Sequence, residues 1–295
     1  MKQDKISSTA LTVIQGLLYQ AQNAKYSHLV NPELKQSCIA ILSSSTEGQK
    51  RLKQLRSKWF RRTVPVIEKL MMPGITLHYV LRKRYLEDQI HQAISEGYTQ
   101  ILNIGAGFDT LASRLSKQYP DVRFIEIDHP ETFEKKQSAL VQSDLMQENM
   151  HACPANLQQK NIQDILHDAD IIQAEAPTVC MLEGVLMYVE EKAVQHLFTH
   201  LMDYFDSGCR IIYTAAEPAE TDNKAYGWLL KLYLSIVGEP LKWTLRKEQN
   251  KHFLSALNLV EKSLADSNTF KEKYLAENDK NASNAGEFIV IAEKE

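Results

Sequence analysis

The run Ile101-Leu-Asn-Ile-Gly-Ala-Gly-Phe-Asp-Thr110 decides how the rest of the chain is read. Its first four residues, with Gln100 before them, predict a short buried strand. Gly105-Ala-Gly107 then predicts a tight turn, because two glycines let the backbone approach a ligand closely and adopt conformations closed to residues with a Cβ. Phe108 and Asp109 lead into a helix through Ser116. In an open α/β sheet, ligands sit beyond the carboxyl ends of the strands, at the point where strand order reverses. A glycine turn at such a strand end is therefore a candidate binding loop.

Working outward, Val122-Arg-Phe-Ile-Glu-Ile-Asp128 predicts a second strand, followed after Pro130 by a helix. Pro177–Leu182 and Gly208–Thr214 predict further strands, with helical periodicity over Glu190–Phe205 between them. Leu259–Ser263 and Glu287–Ala292 predict two more near the C-terminus. Strands alternating with helices imply a largely parallel sheet covered on both faces. Before residue 96 the character is helical, with apolar spacing over Thr9–Gln22, Pro32–Leu42 and Ile75–Ser95, and Pro73-Gly74 breaking the chain before the last of these. The basic stretch Lys50–Arg62 carries Trp59 and Phe60. The expected organisation is one domain, with residues 1–95 as a helical cap and residues 96–295 as a Rossmann-like core with insertions for an acceptor.

With 295 residues, 44% hydrophobic and 24% charged, the composition is that of a folded globular chain. A formal net charge of -3 gives no global basic field for nucleic acid or an anionic membrane, so neither is expected as a partner. No apolar run approaches the roughly 20 residues of a membrane span. The N-terminus does not read as a signal peptide. Cys38, Cys153, Cys180 and Cys209 are dispersed, without a C-x-x-C pair, which argues against a disulfide framework and fits a cytoplasmic location. No metal-ligand spacing is found, so no metal is expected. Oligomeric state is not readable.

The carboxylate that completes a nucleoside site is expected at the end of the second strand. Asp128 stands 23 residues after Gly105 and can accept hydrogen bonds from both hydroxyls of a ribose. Glu126, two residues earlier on the same side of the strand, is its rival. A dinucleotide oxidoreductase or a methyltransferase could own this arrangement. The dinucleotide fingerprint wants a glycine or alanine where this chain has Thr110, and Asp109 would set a negative charge beside phosphates. A methyltransferase cofactor has no phosphates and carries an amino group, which tolerates Asp109.

Three ordered motifs, Ile104-Gly-Ala-Gly-Phe-Asp-Thr110, Phe124-Ile-Glu-Ile-Asp-His-Pro130 and Leu182-Glu-Gly-Val-Leu-Met-Tyr-Val189, resemble the leucine carboxyl methyltransferase family. The resemblance runs from about Ser7 to the last strand. It implies the α/β, Rossmann-like class I methyltransferase fold, with a seven-stranded, mostly parallel sheet, helices on both faces and an α-helical N-terminal cap. It implies S-adenosylmethionine as cofactor, S-adenosylhomocysteine as product, and an O-methyltransferase acting on a hydroxyl or carboxylate of a small molecule. Carboxyl methylation of a protein C-terminal leucine, or a non-catalytic binding protein of the same fold, are the alternatives.

The resemblance also implies residue roles. Gly105, Ala106 and Gly107 would line the methionine part of the cofactor, Asp128 its ribose, and Asp109 and His129 would flank it. Arg82, in Leu81-Arg-Lys-Arg-Tyr-Leu86, would pair with the cofactor carboxylate through its planar fork, with Arg84 as the alternative. Glu183 would bind the ammonium group at the floor of the transfer site, with Tyr188 lining the same pocket. Asp164 would reach the adenine amino group. One departure bears on substrate. Many members carry a basic residue in the first helix after a motif represented here by Ser8-Thr9-Ala10, where this chain has Gln15, Gly16 and Leu17. Lys25 is the nearest following cation. That favours a small-molecule acceptor over a protein tail. The aromatic stretch Ala225–Leu234, with Trp243 beyond, is a further candidate for the acceptor wall, as is Trp59-Phe60. His78 and His91 are isolated and read as packing residues.

Overall fold

The computed structural model describes residues 8–157, 159–205, 208–218, 241–277, 279 and 286–294. Five helices come first: α1 (Ser8–Gln20), α2 (Pro32–Ser43), α3 (Thr46–Arg56), α4 (Lys58–Met71) and α5 (Ile75–Ser95). α2 and α3 start where capping chemistry dictates, with the Asn31 and Ser45 side chains accepting from the backbone N–H of Leu34 and Gly48. α5 begins after Gly74, whose φ of 74° is the left-handed turn that Pro73-Gly74 predicts. α3 and α4 add to the three helices expected before residue 96. α4 carries a marked apolar face, yet that face stands largely in solvent, with Trp59 74% and Leu70 63% exposed.

The sheet follows, with β1 (Gln100–Ile104), β2 (Arg123–Asp128), β3 (Met150–Pro154), β4 (Thr178–Leu182), β5 (Cys209–Ala216), β6 (Leu259–Ala265) and β7 (Glu287–Lys294). Its order is β3-β2-β1-β4-β5-β7-β6. β7 runs antiparallel to both β5 and β6, while the pairs from β3 to β5 are parallel. This is the expected seven-stranded, mostly parallel sheet. β3 is the strand without a sequence signature. Its edge position leaves most of it half-buried, and Met-His-Ala-Cys-Pro has neither alternation nor β-branching.

Alternation along each strand builds two core layers. Ile101, Phe124, Val179, Met181 and Ile212 face one side, where α5, α6 (Leu111–Gln118) and the N-terminal helices pack. Leu102, Ile104, Ile125, Ile127, Cys180 and Leu182 face the other, against α8 (Ile162–Asp168) and α9 (Glu191–Tyr204). Because β1 is fully buried on both faces, it reads as a continuous apolar run interrupted only by Asn103. The chain lays β1, β2 and β3 outward, then returns to place β4 on the other side of β1. The crevice at that reversal lies beyond the carboxyl ends of β1, β2 and β4.

Candidate cofactor and transfer site

The glycine turn is bound to its neighbour strand before any side chain acts. The N–H groups of Gly105 and Ala106 both donate to the Ile127 carbonyl, at 2.8 and 3.2 Å. Gly105 and Gly107 have φ of 71° and 50°, in the left-handed region that favours glycine. A Cβ on Gly105 would lie 2.5 Å from Cγ2 of Val185, so the β4 loop closes over the turn on that side. Gly184 has nothing among the described residues within 4 Å of its hypothetical Cβ.

Asp128 ends β2 and is half-buried, with its carboxylate anchored at both oxygens. Oδ2 accepts from the Gly107 N–H at 2.5 Å and Oδ1 from the His129 N–H at 2.6 Å. Each oxygen keeps a second lone pair, so the group is held rigidly with acceptor capacity left for a diol. Glu126 has a different fate. It is 3% exposed and ion-paired at 2.7 Å to Lys136 on α7 (Pro130–Gln142), beneath that helix. Burial pushes its carboxyl up, against the pull of Lys136. His129 caps α7, its Nδ1 placed 3.4 Å from the Glu131 N–H.

The other end of the crevice is a buried charge cluster. Glu183, just past β4, accepts from Arg82 Nε at 3.0 Å and from Lys83 Nζ at 2.8 Å. Lys83 also reaches Asp109 Oδ1 at 2.9 Å. Asp109 in turn accepts from the N–H groups of Thr110 and Leu111, at 2.7 and 3.2 Å, just before α6, and takes the Asn103 amide at 3.3 Å. Burial opposes ionisation of Asp109, but Lys83, Lys136 and Arg114 together hold its carboxyl well below the usual carboxylate range. Burial likewise works against the Lys83 ammonium, and Asp109 with Glu183 outweighs it, so the lysine stays charged.

The remaining candidates are placed unevenly. Arg84 lies about 200° around α5 from Arg82, where Asp88 and Tyr274 are its electrostatic neighbours, and its buried Nε has no hydrogen-bond partner among the described residues. Tyr188 is half-buried in the single turn Leu186–Tyr188 that follows Glu183. Asp164 is exposed in the first turn of α8. Trp243 is buried, and the N–H groups of Lys242 and Trp243 donate to the Met187 carbonyl, so the chain is back beside the β4 loop there. Ala225–Leu234 lies outside the described residues. At α1, Gln15 accepts from Arg51 Nη1 at 2.9 Å, so a cation from α3 stands against the first helix where the helix itself has none. Lys25 is exposed and paired with Asp279. Among the described residues there is no group of three or more metal-ligating side chains, and no helix long and apolar enough to cross a membrane.

Three residues of the cluster are not marked as ligands by sequence. Lys83 sits inside the quoted Arg82-Lys-Arg84 run, and its turn of roughly 100° from Arg82 puts it on the same side of α5. Glu287 is a carboxylate opening an otherwise apolar strand run, and His78 lies one helical turn before Arg82 on its face. These placements are the signals the sequence holds for them.

The strand order, the antiparallel β7 and the crevice at the β1/β4 reversal define the class I methyltransferase fold. The family profile for leucine carboxyl methyltransferase matches residues 19–202, and the chain belongs to that family of S-adenosylmethionine-dependent methyltransferases. It is 24% identical over 165 residues to "Leucine carboxyl methyltransferase 1" of Eremothecium gossypii, covering 48% of this chain and 50% of that one. Over 184 residues it is 24% identical to "Putative S-adenosyl-L-methionine-dependent methyltransferase YktD" of Bacillus subtilis, covering 61% of this chain and 60% of that one. The chain thus spans about half to three-fifths of the length of these curated relatives. Among solved structures, a Thermobifida fusca protein described as "a putative methyltransferase" superimposes with a TM-score of 0.60 at 18% identity, covering 87% of this chain and 94% of that one. A Streptomyces avermitilis protein of the duf574 family superimposes with a TM-score of 0.59 at 15% identity, covering 99% of this chain and all of that one.

The donor set fits the family cofactor. A backbone-anchored carboxylate with free lone pairs stands at one end of the crevice and a carboxylate-rich cluster at the other, with the glycine turn between them.

Proposed function

We propose that this chain binds S-adenosylmethionine across the crevice and transfers its methyl group to a hydroxyl or carboxylate oxygen of a small molecule. The observation that carries the reading is the placement of Asp128, clamped on the Gly107 N–H, and Glu183, clamped between Arg82 and Lys83, beyond the ends of β2 and β4. In this reading Asp128 accepts from the ribose hydroxyls. The third guanidinium nitrogen of Arg82, Nη2, faces the cofactor carboxylate. Glu183 takes the ammonium group, and Tyr188 lines the same pocket. Gly105–Gly107 admits the thioether end, and Asp164 is the candidate for the adenine amine.

When bound, S-adenosylmethionine supplies a methyl group on a sulfonium, a leaving group that needs no further activation. The residues of this chain then have mainly to orient and to exclude water. A carboxylate acceptor is already ionised at neutral pH, whereas a hydroxyl benefits from a base. No metal is needed for either. The absence of a cation from α1 itself supports a small acceptor, and the name of the E. gossypii relative supports a carboxylate. Calorimetry with S-adenosylhomocysteine tests the cofactor reading: saturable binding is expected, and no heat of binding in the wild-type chain would end it. Alkaline treatment of labelled product separates the acceptors, because a methyl ester is hydrolysed and a methyl ether survives.

A further inference from the structure

Glu287 lies outside every motif that the sequence offers. It opens β7, paired with Ala216 at the end of β5, and because β7 runs antiparallel its first residue arrives at the carboxyl edge. Its side chain is buried. Oε2 accepts from Arg82 Nη1 at 2.7 Å and lies 2.8 Å from His78 Nε2, while Oε1 is buried with no hydrogen-bond partner among the described residues. The Arg82 guanidinium is therefore gripped on two sides, by Glu183 at Nε and Glu287 at Nη1, with the Tyr79 ring 5.6 Å from Cζ. Two carboxylates on two nitrogens of a planar group fix its rotation. Nη2 is the nitrogen left for a further acceptor.

We propose that Glu287 is a positioning residue: with His78 behind it, it holds Arg82 so that Nη2 is presented to the carboxylate of the bound cofactor. This rests on the cofactor reading above, and the test separates the two. The full chain is titrated calorimetrically with S-adenosylhomocysteine and with methylthioadenosine, which keeps the nucleoside and sulfur but lacks the amino-acid end. For Glu287→Gln, affinity for S-adenosylhomocysteine is expected to fall about tenfold or more, the loss typical of a charge-assisted hydrogen bond. Affinity for methylthioadenosine is expected to stay within about twofold, since that ligand never meets Arg82. Equal weakening of both ligands means a merely structural role and overturns the proposal, as does unchanged binding of both. A wild-type chain that binds neither ligand overturns the cofactor reading itself. Should Glu287→Gln fail to fold, His78→Phe keeps the carboxylate charge and removes its anchor. A smaller loss confined to S-adenosylhomocysteine is then expected, and an equal effect on both ligands again overturns the proposal.

Discussion

Replacing Gly105 with alanine separates two costs that the turn combines. The backbone there has a φ of 71°, which an L-residue occupies at a penalty of about 1–2 kcal/mol. The new Cβ would stand 2.5 Å from Val185 Cγ2 and 3.3 Å from Cγ1. Valine is stiff about χ1, so the overlap is not relieved by a rotamer change, and overpacking of this kind costs about 1–3 kcal/mol. The sum, roughly 2–5 kcal/mol, corresponds to a fall of roughly 4–20 °C in melting temperature at about 2–4 °C per kcal/mol. Val185→Ala removes both γ-carbons and leaves the Cβ of residue 185 at 3.5 Å from the new methyl carbon, in ordinary contact. In that background Gly105→Ala should cost only the backbone part, about 1–2 kcal/mol. Urea and thermal denaturation of the wild type, both single variants and the double variant measure the coupling. A Gly105→Ala protein that melts with the wild type refutes the reasoning. So does one whose penalty is the same with and without Val185, because the closure of the β4 loop on the turn would then be absent.

Lys83→Met should destabilise by about 3–5 kcal/mol, because Asp109 and Glu183 would each lose a buried cation; a melting temperature near wild type would count against the bridge. Acid sensitivity should follow Glu287, whose carboxyl is pulled to about 2 against the cost of burial, chiefly by Arg82 with help from His78. A folded value below the unfolded value of about 4.3 means that this stabilisation is present above pH ~4.3 and is lost as pH falls towards about 2. Unfolding free energies in urea between pH 6 and pH 3 should therefore drop on the order of 2 kcal/mol further in wild type than in Glu287→Gln. Finally, the two β2 carboxylates should part company. Asp128→Ala should weaken S-adenosylhomocysteine by roughly 10- to 150-fold and also cost about 1–3 kcal/mol of stability through the lost Gly107 and His129 bonds, whereas Glu126→Gln, facing buried Lys136, should lower the melting temperature and leave the ligand Kd within about twofold.

The division between what is legible in the sequence and what is not follows from the range of each interaction. Local signals suffice for the turn at Gly105–Gly107, the strands around β1, α5 over Ile75–Ser95, and Asp128 at a strand end. Each depends on backbone preference or on burial along a single element, which leaves a mark within a few residues. The same holds for the family motifs, whose residues lie at strand ends. β3 escapes because an edge strand half-covered by its neighbours is under little compositional pressure. Within the site, sequence ranks Arg82 before Arg84 and Asp128 before Glu126, but does not say what each side chain meets. Those contacts depend on which way a side chain faces when distant elements meet, as α5 meets β4 at Glu183 and β7 at Glu287 about a hundred and two hundred residues on. Buried charge is paired by proximity in space. The glycine turn and its acidic partner are therefore written in the chain, while the grip on Arg82 exists only once β7 has been laid antiparallel against β5.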